Sequence, residues 1–196
     1  MSQIVSDRLT TPKIINQYLS DLRLILQDIP VKQISEVVTL IEEARLNGNN
    51  VFIFGNGGSA STASHFATDL SKGTICSGKP RIKAISLTDN VALLCAWAND
   101  TDYENVFAEQ LENLIKPGDI AIGISGSGNS QNVINGVKLA KAKGAVTIGF
   151  IGFNGGRLIN IVDIDVTVPC NVMEQVEDVH VIFEHIITTC LKNGVC

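Results

Sequence analysis

A chain of 196 residues that is 45% apolar and 18% charged has material for a sizeable core and is not a disordered segment. Its net charge of −5 supplies no basic field for nucleic acid, and no apolar run approaches the roughly 20 residues of a membrane span. Five cysteines (Cys76, Cys95, Cys170, Cys190, Cys196) lack CxxC spacing and the polar start, Met1 to Thr10, has no apolar signal core, so a single-domain cytoplasmic protein over residues 1–196 is expected.

Thr11-Pro12 reads as a helix start, with proline tolerated in the first turn, and Ile15, Leu19, Leu22 and Leu26 repeat along one face until Pro30. A second helix carries Ile34, Val37, Val38 and Ile41 and stops at Gly48, a natural left-handed position. These 48 residues precede any strand, and an amphipathic helix without its own sheet often packs on a partner subunit, although packing back on its own domain is equally cheap; of the two, an oligomer is the expectation. From Val51 the pattern becomes strand, loop, helix. The expected strands are Val51–Phe54, Ile82–Leu87, Ile120–Ile124, Ala145–Ile151 and Ile164–Val168. The expected helices are Ser59–Ser71, Asn90–Ala98, Tyr103–Ile115, Gln131–Lys143 and Val172–Leu191. Nearly all-apolar strands alternating with helices predict an α/β fold, a three-layer αβα sandwich on a five-stranded parallel sheet.

Two loops stand where open parallel sheets bind ligands, beyond strand C-terminal ends. Asn56-Gly57-Gly58-Ser59 follows the first strand, with a spacing that is neither the Walker pattern nor a dinucleotide GxGxxG. Ser125-Gly126-Ser127-Gly128-Asn129-Ser130 follows the third. Three hydroxyls and several free amides at a helix N-terminus suit phosphate oxygens, which only accept hydrogen bonds. The plainer alternative is an ordinary loop with serine as N-cap, but one cap needs one serine.

The chain has three histidines: His65, His180 and His185. His65 and Asp69 are four apart and share a helix face. Glu174, Glu177, His180, Glu184 and His185 crowd the last helix, where Glu177 and His185 stand about 80° apart around the axis. Such a set could supply four ligands to one divalent metal or act as acid and base beside a sugar. The plainer reading of His180 is packing, and of Glu184 a surface or supporting group.

Phe54–Ser59, Ser64-His65-Phe66-Ala67, Ala98-Asn99-Asp100, Gly123–Ser130 and Glu177–His185 together resemble the sugar isomerase (SIS) domain family, and within it the phosphoheptose isomerases, over nearly the whole chain. The resemblance implies isomerisation of sedoheptulose 7-phosphate to D-glycero-D-manno-heptose 7-phosphate through an enediol, in a homotetramer whose sites draw on neighbouring subunits. It implies that Asn56, Gly57, Gly58, Ser59, Asn99 and Asp100 meet the substrate and that Ser125, Gly126, Ser127 and Ser130 hold its phosphate. It places one zinc ion per subunit on His65, Asp69, Glu177 and His185, with Asp69 and Glu177 also touching substrate, Asp69 as base and His185 as acid. Two positions depart: Asp69 stands where the family has Glu, and Glu177 where it has Gln. Asp is one methylene shorter, and Glu adds a negative charge that favours a divalent metal. The alternative from another class is a non-catalytic phosphosugar-binding regulator or adaptor, such as a replication-initiator-binding factor.

Overall fold

The five apolar runs become one all-parallel sheet in the computed structural model, which describes residues 10–193. Residues 1–9 of the polar opening stretch, and Cys196, lie outside the described residues. β1 (Asn50–Gly55), β2 (Lys83–Ser86), β3 (Ile120–Ser125), β4 (Val146–Ile151) and β5 (Ile164–Thr167) are arranged β2-β1-β3-β4-β5. Phe52 pairs with Ala121 and Ile122 with Ile148, so β1, β3 and β4 are in register at the centre. The three-layer α/β expectation is borne out.

Strand alternation splits the core in two. Ile53 and Ile122 point to one face, where α2 (Val31–Asn47), α3 (Gly58–Thr68) and α7 (Met173–Asn193) deliver Val37, Phe66, Val179 and Phe183. Phe52 and Phe54 point to the other, against Phe107 of α5 (Val106–Leu114) and Val133 of α6 (Gln131–Ala142). α2 ends as expected at Gly48, whose φ of 72° lets its amide reach the carbonyls of the last turn. α1 (Thr11–Ile25) buries no residue, and is tethered where Tyr18 Oη donates to Asp178 at 2.5 Å and Gln175 Nε2 donates to the Tyr18 carbonyl at 3.2 Å. α4 (Val91–Asp100) also buries none.

Three local expectations need correction. β2 is an edge strand in which Lys83 and Ile85 are exposed, because sheet order, which apolar content does not encode, leaves it one neighbour. The helix expected to run to Ser71 stops at Thr68 and continues as a π turn, Asp69–Gly73. The helix expected from Tyr103 opens with a 3₁₀ turn, Tyr103–Asn105.

The sheet order also locates the site. From β1 the chain winds outward to β2, then returns past β1 to β3 and proceeds the other way. The crevice of such a sheet opens at this reversal, between the ends of β1 and β3, where both glycine loops emerge.

Candidate active site

The two loops leave helix N-termini open. Neither Gly57, which precedes α3, nor Ser130, which precedes α6, caps its helix with a side chain. The Ser130 hydroxyl instead accepts from Ser125 Oγ at 3.2 Å, while Ser127 Oγ accepts from the Asn129 amide at 3.2 Å. The plainer reading of the serines as caps is thereby removed. Gly128 has a φ of 65°, and a Cβ there would lie 2.0 Å from the Gly155 carbonyl oxygen, so only glycine fits. The segment after β4 backs this loop: the Gly152 amide donates to Gly126 at 2.9 Å and Arg157 Nη2 to the Asn129 carbonyl at 2.9 Å.

Between the loops lies a cavity of about 120 Å³ walled by Asn56, Ser59, Ser125, Ser127, Ser130 and Glu177. Asn56 locks one loop to the other, exchanging 2.8 Å amide hydrogen bonds with Asn132 and accepting from Tyr103 Oη at 2.9 Å. Sequence reasoning missed Asn132 and Tyr103. Their signal was proximity, Asn132 two residues beyond the serine loop and Tyr103 three beyond Asp100. Gly57 and Gly58 sit at the mouth of α3, and a Cβ on Gly58 would come within 2.7 Å of Glu177 Oε2. Glu177 thus lies across the bare backbone of Gly58. It also walls a second cavity of about 270 Å³ with Ser61, Thr62 and His65, and so stands between the serine-loop cavity and the histidine cluster. Asn99 and Asp100 are exposed at the end of α4, hydrogen-bonded to each other at 2.9 Å, and wall neither cavity of this chain.

Beyond Glu177, His65, Asp69, Glu184 and His185 converge, with one ligand atom from each lying within 4.8 Å of the others. Asp69 Oδ2 is 3.9 Å from Nε2 of both histidines, and the two rings meet edge to face at 5.1 Å. The structure brings together three of the four residues expected to hold metal. The fourth member of the cluster is Glu184 and not Glu177. Glu184 is no surface group: its side chain is 0% exposed, against 47% for His65 and 51% for His185. Its position on α7 explains this, since Val176, His180, Ile187 and Leu191 form the same inward stripe. Glu184 Oε1 lies 2.7 Å from His65 Nδ1 but does not align as a hydrogen bond, and neither oxygen accepts one among the described residues. Burial, and then the neighbouring Asp69 charge, push the Glu184 carboxyl up to about 8. His180 is packed, as its plainer reading held. It faces Phe150 and Phe183, its Nε2 is 3.2 Å from the Ile151 carbonyl, and burial pushes its pKa down to about 4.

Two imidazoles and two carboxylates within one coordination shell fit a divalent cation, and the unsatisfied Glu184 oxygens are an independent sign that a positive group belongs there. No thiolate is in the cluster. Cys95, Cys170 and Cys190 form no disulfide, and among the described residues no helix is long and apolar enough to cross a membrane.

Comparison with known proteins adds relatives. The chain matches the SIS domain over residues 17–152. It is 38% identical to the phosphoheptose isomerase of Aquifex aeolicus over 90% of this chain and 92% of that one, and 40% identical to that of Aliarcobacter butzleri over 84% and 85%. The solved phosphoheptose isomerase of Neisseria gonorrhoeae superposes with a TM-score of 0.87 at 28% identity, covering 93% of this chain and 98% of that one.

Proposed function

The chain belongs to the SIS domain family, and from that premise we propose that it is an aldose–ketose isomerase interconverting sedoheptulose 7-phosphate and D-glycero-D-manno-heptose 7-phosphate. The observation that carries the proposal is the continuity of the site. A phosphate cradle at the sheet's switch point leads through Glu177 to a carboxylate–histidine cluster. The phosphate is held by Ser125, Ser127 and Ser130 and by uncapped amides of the same loop. That anchors one end of an extended sugar and carries the carbonyl end past Gly57 and Gly58. Asp69 removes the proton on the carbon alpha to the carbonyl and returns it to the neighbouring carbon. His185 supplies and recovers the proton at the adjacent oxygens, so the enediol forms and collapses without net loss of a proton. Anchoring at the remote phosphate lets binding energy serve orientation at the reacting carbons.

A divalent metal, zinc in the first instance, is the proposed cofactor, held among His65, Asp69 and His185. When bound it would polarise the sugar carbonyl. The relatives named as isomerases favour the enzyme over a regulator or adaptor. A homotetramer in the cytoplasm completes the proposal. It is supported by the unburied faces of α1 and α4, by Cys95, Cys170 and Cys190 standing outside any disulfide, and by a net charge offering nucleic acid no purchase.

Asp69→Asn tests the reading. Turnover of sedoheptulose 7-phosphate should fall by about 10²- to 10⁴-fold, while calorimetry still detects sugar-phosphate binding through the intact loop. Turnover at the parent rate would remove Asp69 as base.

A further inference from the structure

We propose that Glu184, in place of Glu177, is the carboxylate that completes the metal site with His65, Asp69 and His185, leaving Glu177 to the substrate; only that last clause rests on the isomerase reading. The first support is placement. Glu184 Oε1 is 2.7 Å from His65 Nδ1 and 3.8 Å from His185 Nε2, Asp69 Oδ2 is 3.9 Å from Nε2 of each histidine, and with a single nitrogen taken from each ring one ligand atom from every member still lies within 4.8 Å of the others. Ligands bonded at zinc distances around a tetrahedral ion sit about 3.4 Å apart, so small side-chain adjustments bring this group onto one ion. Glu177 is not in the cluster. It is aimed across Gly58, where its carboxylate faces both cavities.

The second support is energetic. A fully buried carboxylate whose oxygens accept no hydrogen bond is a costly group to keep, and a cation within bonding distance relieves that cost. Glu184 therefore holds the ion from the closed side of the site. Asp69, 28% exposed and carried on the π turn that ends α3, is then the carboxylate open to substrate. The shorter Asp side chain and the charged Glu177 become parts of one rearrangement. Ligand duty moves to Glu184, and the carboxylate at position 177 lies along the sugar.

Cobalt(II) titration of metal-free protein tests this without substrate, reading affinity and the visible absorption bands that report coordination. Glu184→Leu, close in size and apolar, should weaken cobalt binding at least about tenfold and alter the bands, whereas Glu177→Ala should stay within about twofold of wild type with the bands unchanged. The metal-free Glu184→Leu protein should melt no lower than wild type, since it loses a buried polar group whose oxygens accept no hydrogen bond. If it does not fold, Glu184→Gln, which keeps one oxygen ligand and drops the charge, should still bind measurably more weakly. Unchanged cobalt binding in the Glu184 variant that folds, loss of binding in Glu177→Ala, or no cobalt bound by wild type would each overturn the proposal. Wild-type turnover of sedoheptulose 7-phosphate is assayed separately. Cobalt held through Glu184 without turnover would sink the isomerase reading and leave the metal assignment standing.

Discussion

His180 and Glu184 sit one turn apart on α7, both buried, and burial moves their pKa values in opposite directions, each towards its neutral form. His180 stays neutral. Its folded pKa of about 4 lies below the ordinary histidine value of 6.5, so between these values the unfolded chain binds a proton the folded chain does not. Stability from this residue is therefore complete above about pH 6.5 and is lost as pH falls towards 4, by up to about 3 kcal/mol. His180→Phe, which suits the Phe150 and Phe183 contacts, should flatten that dependence. The Ile151 carbonyl would still accept from the Val168 amide at 2.8 Å. Denaturant unfolding at pH 7 and pH 5 checks it, and equal losses in both proteins would refute it. Gly128→Ala should raise the KM for sugar phosphate with less effect on kcat, because the Gly155 carbonyl must move and the serine loop with it. At this scale the sequence revealed residues whose chemistry sits in short loops, and concealed Glu184. A charged residue in the apolar stripe of α7 was its only signal, and charge ordinarily reads as solvent-facing.

The elements that carry the site depend on one buried anchor. Arg45 of α2 donates from Nη1 to Glu42 at 3.0 Å, from Nε to the Pro80 carbonyl at 2.9 Å, and from Nη2 to the Thr74 carbonyl. It therefore ties α2 to the chain emerging from the π turn that holds Asp69. Arg45→Met should cost about 3–5 kcal/mol, because Glu42 remains buried with only Lys79 beside it, whereas a paired Arg45→Met, Glu42→Leu change should recover much of the loss. Urea unfolding of both variants decides it, and a single-variant loss below about 1 kcal/mol would contradict it. Helices and strands were legible because each apolar run is either periodic or continuous and is punctuated by Gly or Pro. The π turn was not. One residue of extra winding leaves the periodicity of a helix almost unchanged, and here it begins only at Asp69, whose amide still bonds to the His65 carbonyl, so it re-aims the chain beyond Asp69 towards Thr74. The exposed edge at β2 was hidden for a different reason: strand neighbours are chosen by topology, and Lys83-Ala84-Ile85-Ser86 gives no sign of having only one.

At the scale of the whole molecule the proposed tetramer would account for what one chain leaves exposed. His65 and His185 are each about half exposed, α1 shows solvent Ile14, Ile15, Leu19 and Leu24, and Asn99 and Asp100 stand on α4 away from both cavities of their own chain. Two residues expected to touch substrate, yet walling neither cavity of their own chain, are explained if they serve the neighbour's cavity. Apolar faces left bare on α1 then supply the contact that brings neighbours together. Subunit mixing makes this testable. Asp69→Asn and Asp100→Ala proteins should each be nearly inactive. If the two residues serve a site from different chains, a random mixture regains about a quarter of wild-type sites, because a site is whole only when each chain supplies the residue the other lacks. If both act from one chain, every site keeps a defect and mixing restores nothing. Light scattering should show a tetramer before and after exchange, so recovery cannot be assigned to assembly alone. Recovery near a quarter supports a shared site, and none at full exchange would place Asn99 and Asp100 outside the reaction or within their own subunit's cavity.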